Sequence, residues 1–277
     1  MFIRYLGTAA AEAWPALFCE CDNCKRALAA GGKNIRKRSQ AIIDDKLLID
    51  FPMDTYGNLM QARINLAHVY NCIVTHSHDD HLYPRDLFMR GPVFCHLNHE
   101  IPFTVYGTDK VKEKIIAETG SFLGLNDDKI VNFKEIKPFD TFQIDKYTIT
   151  ALPADHSPAT GPVFYMISDG EKTMLYANDT GYFFEEVWDY FEKNNIKFDF
   201  VSLDCTCITI ECDRGHMGIT ANLRVAERMK KMGIADDKTI FCVHHFSHNG
   251  GYIYDELVPI MKEHGMIVSH DNLVVDF

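Results

Sequence analysis

The sequence predicts an α/β (α+β) protein in which packed sheets carry flanking helices. Three observations lead there. Short runs rich in Val, Ile, Phe and Tyr recur along the chain, each of strand length and bounded by polar or turn residues. A minority of helical segments lies between them, which fits sheets whose outer faces are covered by helices. No Ser/Gly-rich linker, charge block or short repeat divides the 277 residues, so one domain over 1–277 is expected.

Taken in order, apolar runs at 2–6, 47–50, 69–75 and 103–106 are the first expected strands. A helix is expected over 108–118: Thr108 is a capping residue type and Gly120 follows its end. Strands at 147–152, 163–167, 174–177 and 198–203 come next. A second helix over 219–232 places Ile219, Leu223, Ala226 and Met229 on one face and stops at Gly233. Runs at 239–243 and 272–277 complete the pattern.

Acidic side chains number 39 against 28 Lys and Arg, a formal charge of −11, with 47% hydrophobic and 24% charged residues. That is an ordinary globular composition, and the length allows a core that needs no disulfides. Net acidity argues against unspecific nucleic-acid binding, which is driven by neutralising phosphates. No stretch approaches the roughly 18 apolar residues of a membrane span, so no membrane partner is expected. The first residues lack a basic start followed by an apolar run, so no signal peptide is expected either. Nine cysteines, an odd count, favour a reducing compartment where thiols stay free or bind metal. A cytoplasmic location is the expectation.

The most informative segment is Thr75-His76-Ser77-His78-Asp79-Asp80-His81, directly after an apolar strand. Imidazole and carboxylate together suit zinc, iron or manganese. Three His this close are too many for one tetrahedral ion that keeps an open position. Extended backbone puts His76 and His78 on one side, and the following turn can aim Asp80 and His81 at a second ion. Near the amino terminus, Cys19, Cys21 and Cys24 form a Cys-x-Cys-x-x-Cys run. Three thiolates from one short loop suit tetrahedral zinc with a fourth ligand from elsewhere. Cys205, Cys207 and Cys212 read as buried reduced thiols beside the site, and Cys72, Cys95 and Cys242 as core.

His-x-His-x-Asp-His after a strand resembles the signature of the metallo-β-lactamase superfamily of binuclear hydrolases. Four further segments resemble that family's motifs in order: 47–50 ending in Asp50, 152–157 with His156, 175–180 with Asp179, and 243–248 with His244 and His245. The resemblance implies an αββα four-layer sandwich of two mixed sheets with flanking helices. Carried over position by position, it implies one divalent ion on His76, His78 and His156, a second on Asp80, His81 and His245, and Asp179 bridging them. Those two ions would be Zn, Mn or Fe. Asp50 would hold the metal loop by hydrogen bonds. Adjacent strand residues point to opposite faces, so only one of His244 and His245 can reach the ions.

Within the superfamily, the cysteine run resembles that of the phosphodiesterase group of the carbon–phosphorus-lyase pathway (the PhnP group). There a His three residues beyond the last catalytic His closes a structural zinc site. That implies His248 as the fourth ligand beside Cys19, Cys21 and Cys24, and hence His245 as the catalytic ligand. Arg214-Gly215-His216-Met217-Gly218 opens the second helix, and the resemblance gives His216 contact with phosphate or the leaving oxygen. Asp80, His216 and Asp50 are thus the expected catalytic set. The expected function is cleavage of a small phosphodiester, cyclic ribose phosphates among the family's substrates. Alternatives from the same resemblance are a lactone or carbon-ester hydrolase, a protein like the B protein of pyrroloquinoline-quinone synthesis, or a metal-binding scaffold without activity. The family also implies a homodimer. No basic, Gly/Pro-rich arm of the kind that grips tRNA interrupts the motifs.

Overall fold

The structure is a computed structural model and describes residues 1–120 and 130–277. In chain order its elements are β1 (Phe2–Gly7), α1 (Asp22–Ala30), β2 (Gln40–Ile43), β3 (Leu47–Ile49), α2 (Thr55–Ala62), β4 (Asn71–Ile73), β5 (Phe103–Gly107), α3 (Asp109–Thr119), β6 (Val131–Glu135) and β7 (Thr141–Ile144). There follow β8 (Tyr147–Pro153), β9 (Val163–Ser168), β10 (Thr173–Ala177), α4 (Glu185–Lys193), β11 (Phe200–Asp204), α5 (Ile219–Lys231), β12 (Ile240–His244), α6 (Tyr254–Glu263), β13 (Met266–Val268) and β14 (Val274–Asp276).

The strands form two seven-stranded sheets, ordered β14-β1-β2-β3-β4-β5-β6 and β7-β8-β9-β10-β11-β12-β13. In the first, the ladders from β14 to β3 are antiparallel and those from β3 to β6 parallel. The second repeats this sequence of senses, antiparallel from β7 to β10 and parallel from β10 to β13. Parallel strands need crossovers, and helices supply them. Both sheets are therefore mixed, as the family resemblance implied.

Three apolar layers hold the sheets. Ile3, Tyr5, Ile43, Ile49 and Ile73 of the first sheet meet Ile149, Tyr165, Ile167, Tyr176 and Phe200 of the second. On the outer face of the first sheet, Leu59 of α2 and Val111 and Ile115 of α3 pack over Leu48, Cys72 and Val105. On that of the second, Trp188 and Phe191 of α4, Val225 and Met229 of α5 and Met261 of α6 pack over Leu175, Val201 and Val243. Each such buried side chain contributes about 1.5–3 kcal/mol. The order is helices, sheet, sheet, helices. Among the described residues no helix is long and apolar enough to cross a membrane.

Every expected strand is present, with ends moved by one or two residues. The sequence reading missed β2, β6, β7 and β13, and the first three have a visible reason. Gln40 of β2 is buried because its side chain spans Asp50, Thr55 and Asn58. The edge strands β6 and β7 carry half-exposed polar residues. Of the helices it missed, α6 holds Pro259 in its interior. The face of α5 differs from expectation: Ile219 and Leu223 are only half-buried, while Ala221, Asn222, Val225, Ala226 and Met229 face inward. Asn222 sets that rotation by donating to the carbonyls of Asp204 and Gly218 (2.8 and 2.9 Å). Thr108 stands at the N-cap of α3, but its hydroxyl donates to Gly161 O (3.0 Å) and caps nothing.

One hydrogen bond crosses between the sheets just ahead of the His-rich loop. Tyr165 Oη of β9 donates to Val74 O at 2.6 Å, and both residues are fully buried. Val163 N adds a second tie to Thr75 O (2.9 Å). Tyr165→Phe strips the Val74 carbonyl of that donor and should lower stability by about 1–2 kcal/mol. Urea unfolding monitored by circular dichroism measures this; an unchanged midpoint would mean the tie is idle.

Candidate metal centre

The ends of the parallel strands converge on one rim. Asp50 follows β3, the His-rich loop follows β4, Asp179 lies two residues past β10, Asp204 closes β11 and His245 follows β12. Asp50, Asp179 and His245 all take left-handed backbone conformations, with φ of 66°, 45° and 64°. Non-glycine residues occupy that region at a cost of order 1–3 kcal/mol each, and such strain gathers at functional sites.

His76, His78 and His156 form a first group whose ligand atoms lie within 4.8 Å of one another. His78 Nδ1 is 2.9 Å from His76 Nε2 and 3.1 Å from His156 Nε2. Burial pushes both His76 and His78 below the ordinary imidazole value, so both are neutral. The outer nitrogens are taken: His76 Nδ1 donates to Thr75 Oγ1 (3.0 Å) and His156 Nδ1 to Gly215 O (3.1 Å). On these tautomers, assigned from the hydrogen bonds, the Nε2 lone pairs of His76 and His156 both face His78 Nδ1, which can donate to only one of them. A cation resolves that arrangement.

Asp80, His81, Asp179 and His245 form the second group, all four buried. His81 Nδ1 donates to Asp50 Oδ2 (2.7 Å), which turns Nε2 toward Asp179 Oδ2 (2.6 Å), Asp80 Oδ2 (3.3 Å) and His245 Nε2 (3.3 Å). His245 Nδ1 donates to Thr206 Oγ1 (2.7 Å) and so presents Nε2. Burial opposes a charge on His81, yet Asp179, Asp80 and Asp50 hold its pKa well above the ordinary value. The same negative field attracts a metal ion. Asp179 spans both groups, with Oδ2 3.4 Å from His76 Nε2 and Oδ1, 3.1 Å from His245 Nδ1, buried without a hydrogen-bond partner among the described residues. A tetrahedral ion with bonds of about 2.0–2.2 Å keeps its ligand atoms about 3.3–3.6 Å apart, close to most of these separations. The donor set fits two divalent ions.

His244 points the other way. It is fully buried and its Nε2 faces Ser39 Oγ and Tyr176 Oη, each at 3.0 Å. His216 stands beside both groups, its ring 4.9 Å from that of His156 and stacked 5.8 Å from that of His245. Its Nδ1 donates to Asp204 Oδ2 at 2.9 Å. Burial lowers the pKa of His216, but Asp204 outweighs it and lifts the ring to about 10. Sequence reading missed Asp204, and Thr206 with it. The available signal was an Asp closing an apolar strand, as Asp50 does. His78, Asp80, His156, Asp179, His216 and His245 line a cavity of about 250 Å³ whose wall also includes Glu12, Ser247 and Asn249.

Cys19, Cys21, Cys24 and His248 come together as a separate group. His248 Nδ1 lies 3.7 Å from Cys19 Sγ and 3.4 Å from Cys21 Sγ. Zinc bonds of roughly 2.3 Å to sulfur and 2.0–2.1 Å to nitrogen put such pairs about 3.6 Å apart. Partial burial opposes ionisation of Cys21, but the Cys24 backbone N–H and His248 hold its thiol down at about 6. Cys21 also caps α1 by accepting from Cys24 N (3.4 Å). The other cysteines depart in part from expectation. Cys205 is buried, whereas Cys207, Cys212 and Cys95 are only half-buried. Among the described residues none of them joins a ligand group.

Two measurements test these groups. Asp179→Ala should weaken binding at both halves of the buried pair, while His270→Ala, whose ring packs on Tyr254 away from the cavity, should alter neither. Metal content by elemental analysis after dialysis decides it, and full occupancy in the Asp179 variant would refute the bridging role. Cys21→Ser should remove about one equivalent of zinc and lower the melting temperature, because metal binding at such a site is folding free energy. Unchanged zinc and melting would reduce the thiol group to a loop.

Comparison with known proteins bears on the family and the fold. The family profile described as the beta-lactamase superfamily domain matches residues 46–245. Sequence comparison with curated proteins gives no match. Among solved structures, a diphosphatase from the PhnP family superposes with a TM-score of 0.76 at 17% identity, covering 100% of this chain and 97% of that one. Zinc-bound PqqB from Methylobacterium extorquens gives 0.69 at 17% identity, with 100% of both chains covered. The short form of human tRNase Z gives 0.67 at 16%, covering 100% and 99%. Identities this low establish likeness of fold. With the profile spanning most of the chain and both sheets in place, the protein belongs to the beta-lactamase superfamily and has the metallo-β-lactamase fold.

Proposed function

We propose that the protein is a metal-dependent phosphodiesterase acting on a small phosphate ester. The observation that carries this reading is His216, fixed on Nδ1 by Asp204 and standing on the cavity wall beside both candidate metal groups. His76, His78 and His156 would hold one divalent ion, Asp80, His81 and His245 the other, with Asp179 between them. Bound there, such ions lower the pKa of water toward ~7 and offset charge developing on phosphoryl oxygens.

The remaining work falls to the chain's own groups. Asp50 fixes Thr75 and His81 by hydrogen bonds, so the ligand loop is held before substrate arrives. Asp204 accepts a hydrogen bond from His216 Nδ1, and Nε2 has no partner among the described residues. A charged ring so held can give a proton from Nε2 to a departing alkoxide. A cavity of about 250 Å³ suits a small ester better than a folded nucleic acid. Four ligands closing the Cys19, Cys21, Cys24 and His248 group leave no open position, which supports a purely structural zinc there.

Two tests follow. Turnover of bis(4-nitrophenyl) phosphate should exceed that of 4-nitrophenyl acetate and of a simple lactone by at least about 100-fold; the reverse order would favour carbon-ester hydrolysis. General acid catalysis is worth ~10²–10⁴-fold where the leaving group is poor. His216→Ala should therefore slow a phosphodiester with an alkyl leaving group far more than one that expels nitrophenolate. An equal modest loss on both would leave His216 only a phosphate contact.

A further inference from the structure

One carboxylate on the cavity wall belongs to neither metal group. Glu12 lines the same cavity as His78, Asp179 and His216. Its backbone is pinned on both sides: Ala10 N donates to Phe246 O (3.0 Å), Arg38 Nε donates to Ala11 O (2.7 Å), and Ala13 takes a left-handed φ of 61°. One carboxylate oxygen is engaged as well. Glu12 Oε1 accepts from Ser247 Oγ at 2.5 Å and lies 3.7 Å from His248 Nε2. The other, Oε2, has no partner among the described residues, and the side chain is 30% exposed.

A fixed negative charge beside a phosphate site repels the substrate unless the substrate answers it with a donor. We propose that Glu12 is a specificity-determining residue whose free oxygen accepts a hydrogen bond from a hydroxyl or ammonium group on the alcohol part of the ester. The inference rests on the phosphodiester reading and deepens it: the preferred esters carry a donor that simple alkyl and aryl esters lack. Because Oε1 is held by Ser247, the carboxylate is pre-organised, and little is spent on ordering it when the ester binds. The opposing charge also works as a rejection device against phosphate esters without a donor.

Calorimetric binding of three phosphate monoesters to the metal-loaded protein tests this. Propyl phosphate is the reference, glycerol 3-phosphate offers hydroxyls and 2-aminoethyl phosphate an ammonium. The wild type should bind at least one donor ester about tenfold or more tightly than propyl phosphate, the scale of a hydrogen bond to a charged group. Glu12→Ala should bring that ratio close to one. Loss of the charge also removes the repulsion of the phosphate common to all three esters, so the ratio and not the absolute affinity is the readout. Glu12→Gln, which keeps an acceptor oxygen, should retain part of a preference for glycerol 3-phosphate and lose most of one for the ammonium ester. Should Glu12→Ala fail to fold, Ser247→Ala frees the carboxylate and should cut the ratio severalfold. Equal binding of all three esters by the wild type, or a ratio that survives both substitutions, would overturn the proposal. If bis(4-nitrophenyl) phosphate is still turned over in that case, the phosphodiester reading stands without it. If neither turnover nor binding of any phosphate ester occurs, both fall.

Discussion

The path of the His-rich loop depends on one buried carboxylate. Asp50 is fully shielded from solvent, where an unpaired charge would be untenable. It is satisfied by Thr75 N (2.7 Å), Thr75 Oγ1 (3.0 Å) and His81 Nδ1 (2.7 Å). Those partners are the start and the end of the His-rich loop, so a single anion sets the loop's path and the direction of its last imidazole. Desolvation raises the Asp50 pKa even against these bonds. The anion is therefore held at a cost, and that cost makes the loop geometry specific: any other path would leave a buried charge unpaired.

The two sheets supply the other constraint. Each runs through antiparallel ladders and then parallel ones, and in each the first strand of the parallel part is followed by an aspartate in left-handed conformation, Asp50 after β3 and Asp179 after β10. The next strands, β4 and β11, deliver His76 and Asp204. Face-to-face packing of two such sheets brings four equivalent strand ends to one rim. The site thus joins two half-sites: the first sheet delivers His76, His78, Asp80 and His81, and the second delivers His156, Asp179, His245 and the Asp204–His216 pair.

Legibility in the sequence followed the kind of signal involved. The ligand loop was readable because four donor residues crowd into six positions, and the thiol run because its spacing is short. Strand ends were readable where apolar runs stop at a charged residue. Asp204 closes such a run too, but a lone Asp after a strand carries no spacing, and its role depends on His216 twelve residues on. The face of α5 was misjudged because a buried Asn222, which reads as polar surface, anchors that helix. Choosing His245 over His244 needed a family relation, since alternation says only that the two rings diverge. Glu12 gave no signal in sequence at all, because its partners, Ser247 and His248, are distant in the chain.

The thiol group has a consequence for how the chain is made. Cys19 and His248 are separated by 229 positions. At synthesis rates of about 5–20 residues per second, the thiols emerge roughly 10–50 s before the imidazole that completes their set. During that interval the three thiols lack the side chain that closes their group in the folded protein. The group therefore becomes complete only when nearly the whole chain has been made, and its closure ties the amino-terminal loop to the last part of the fold to emerge.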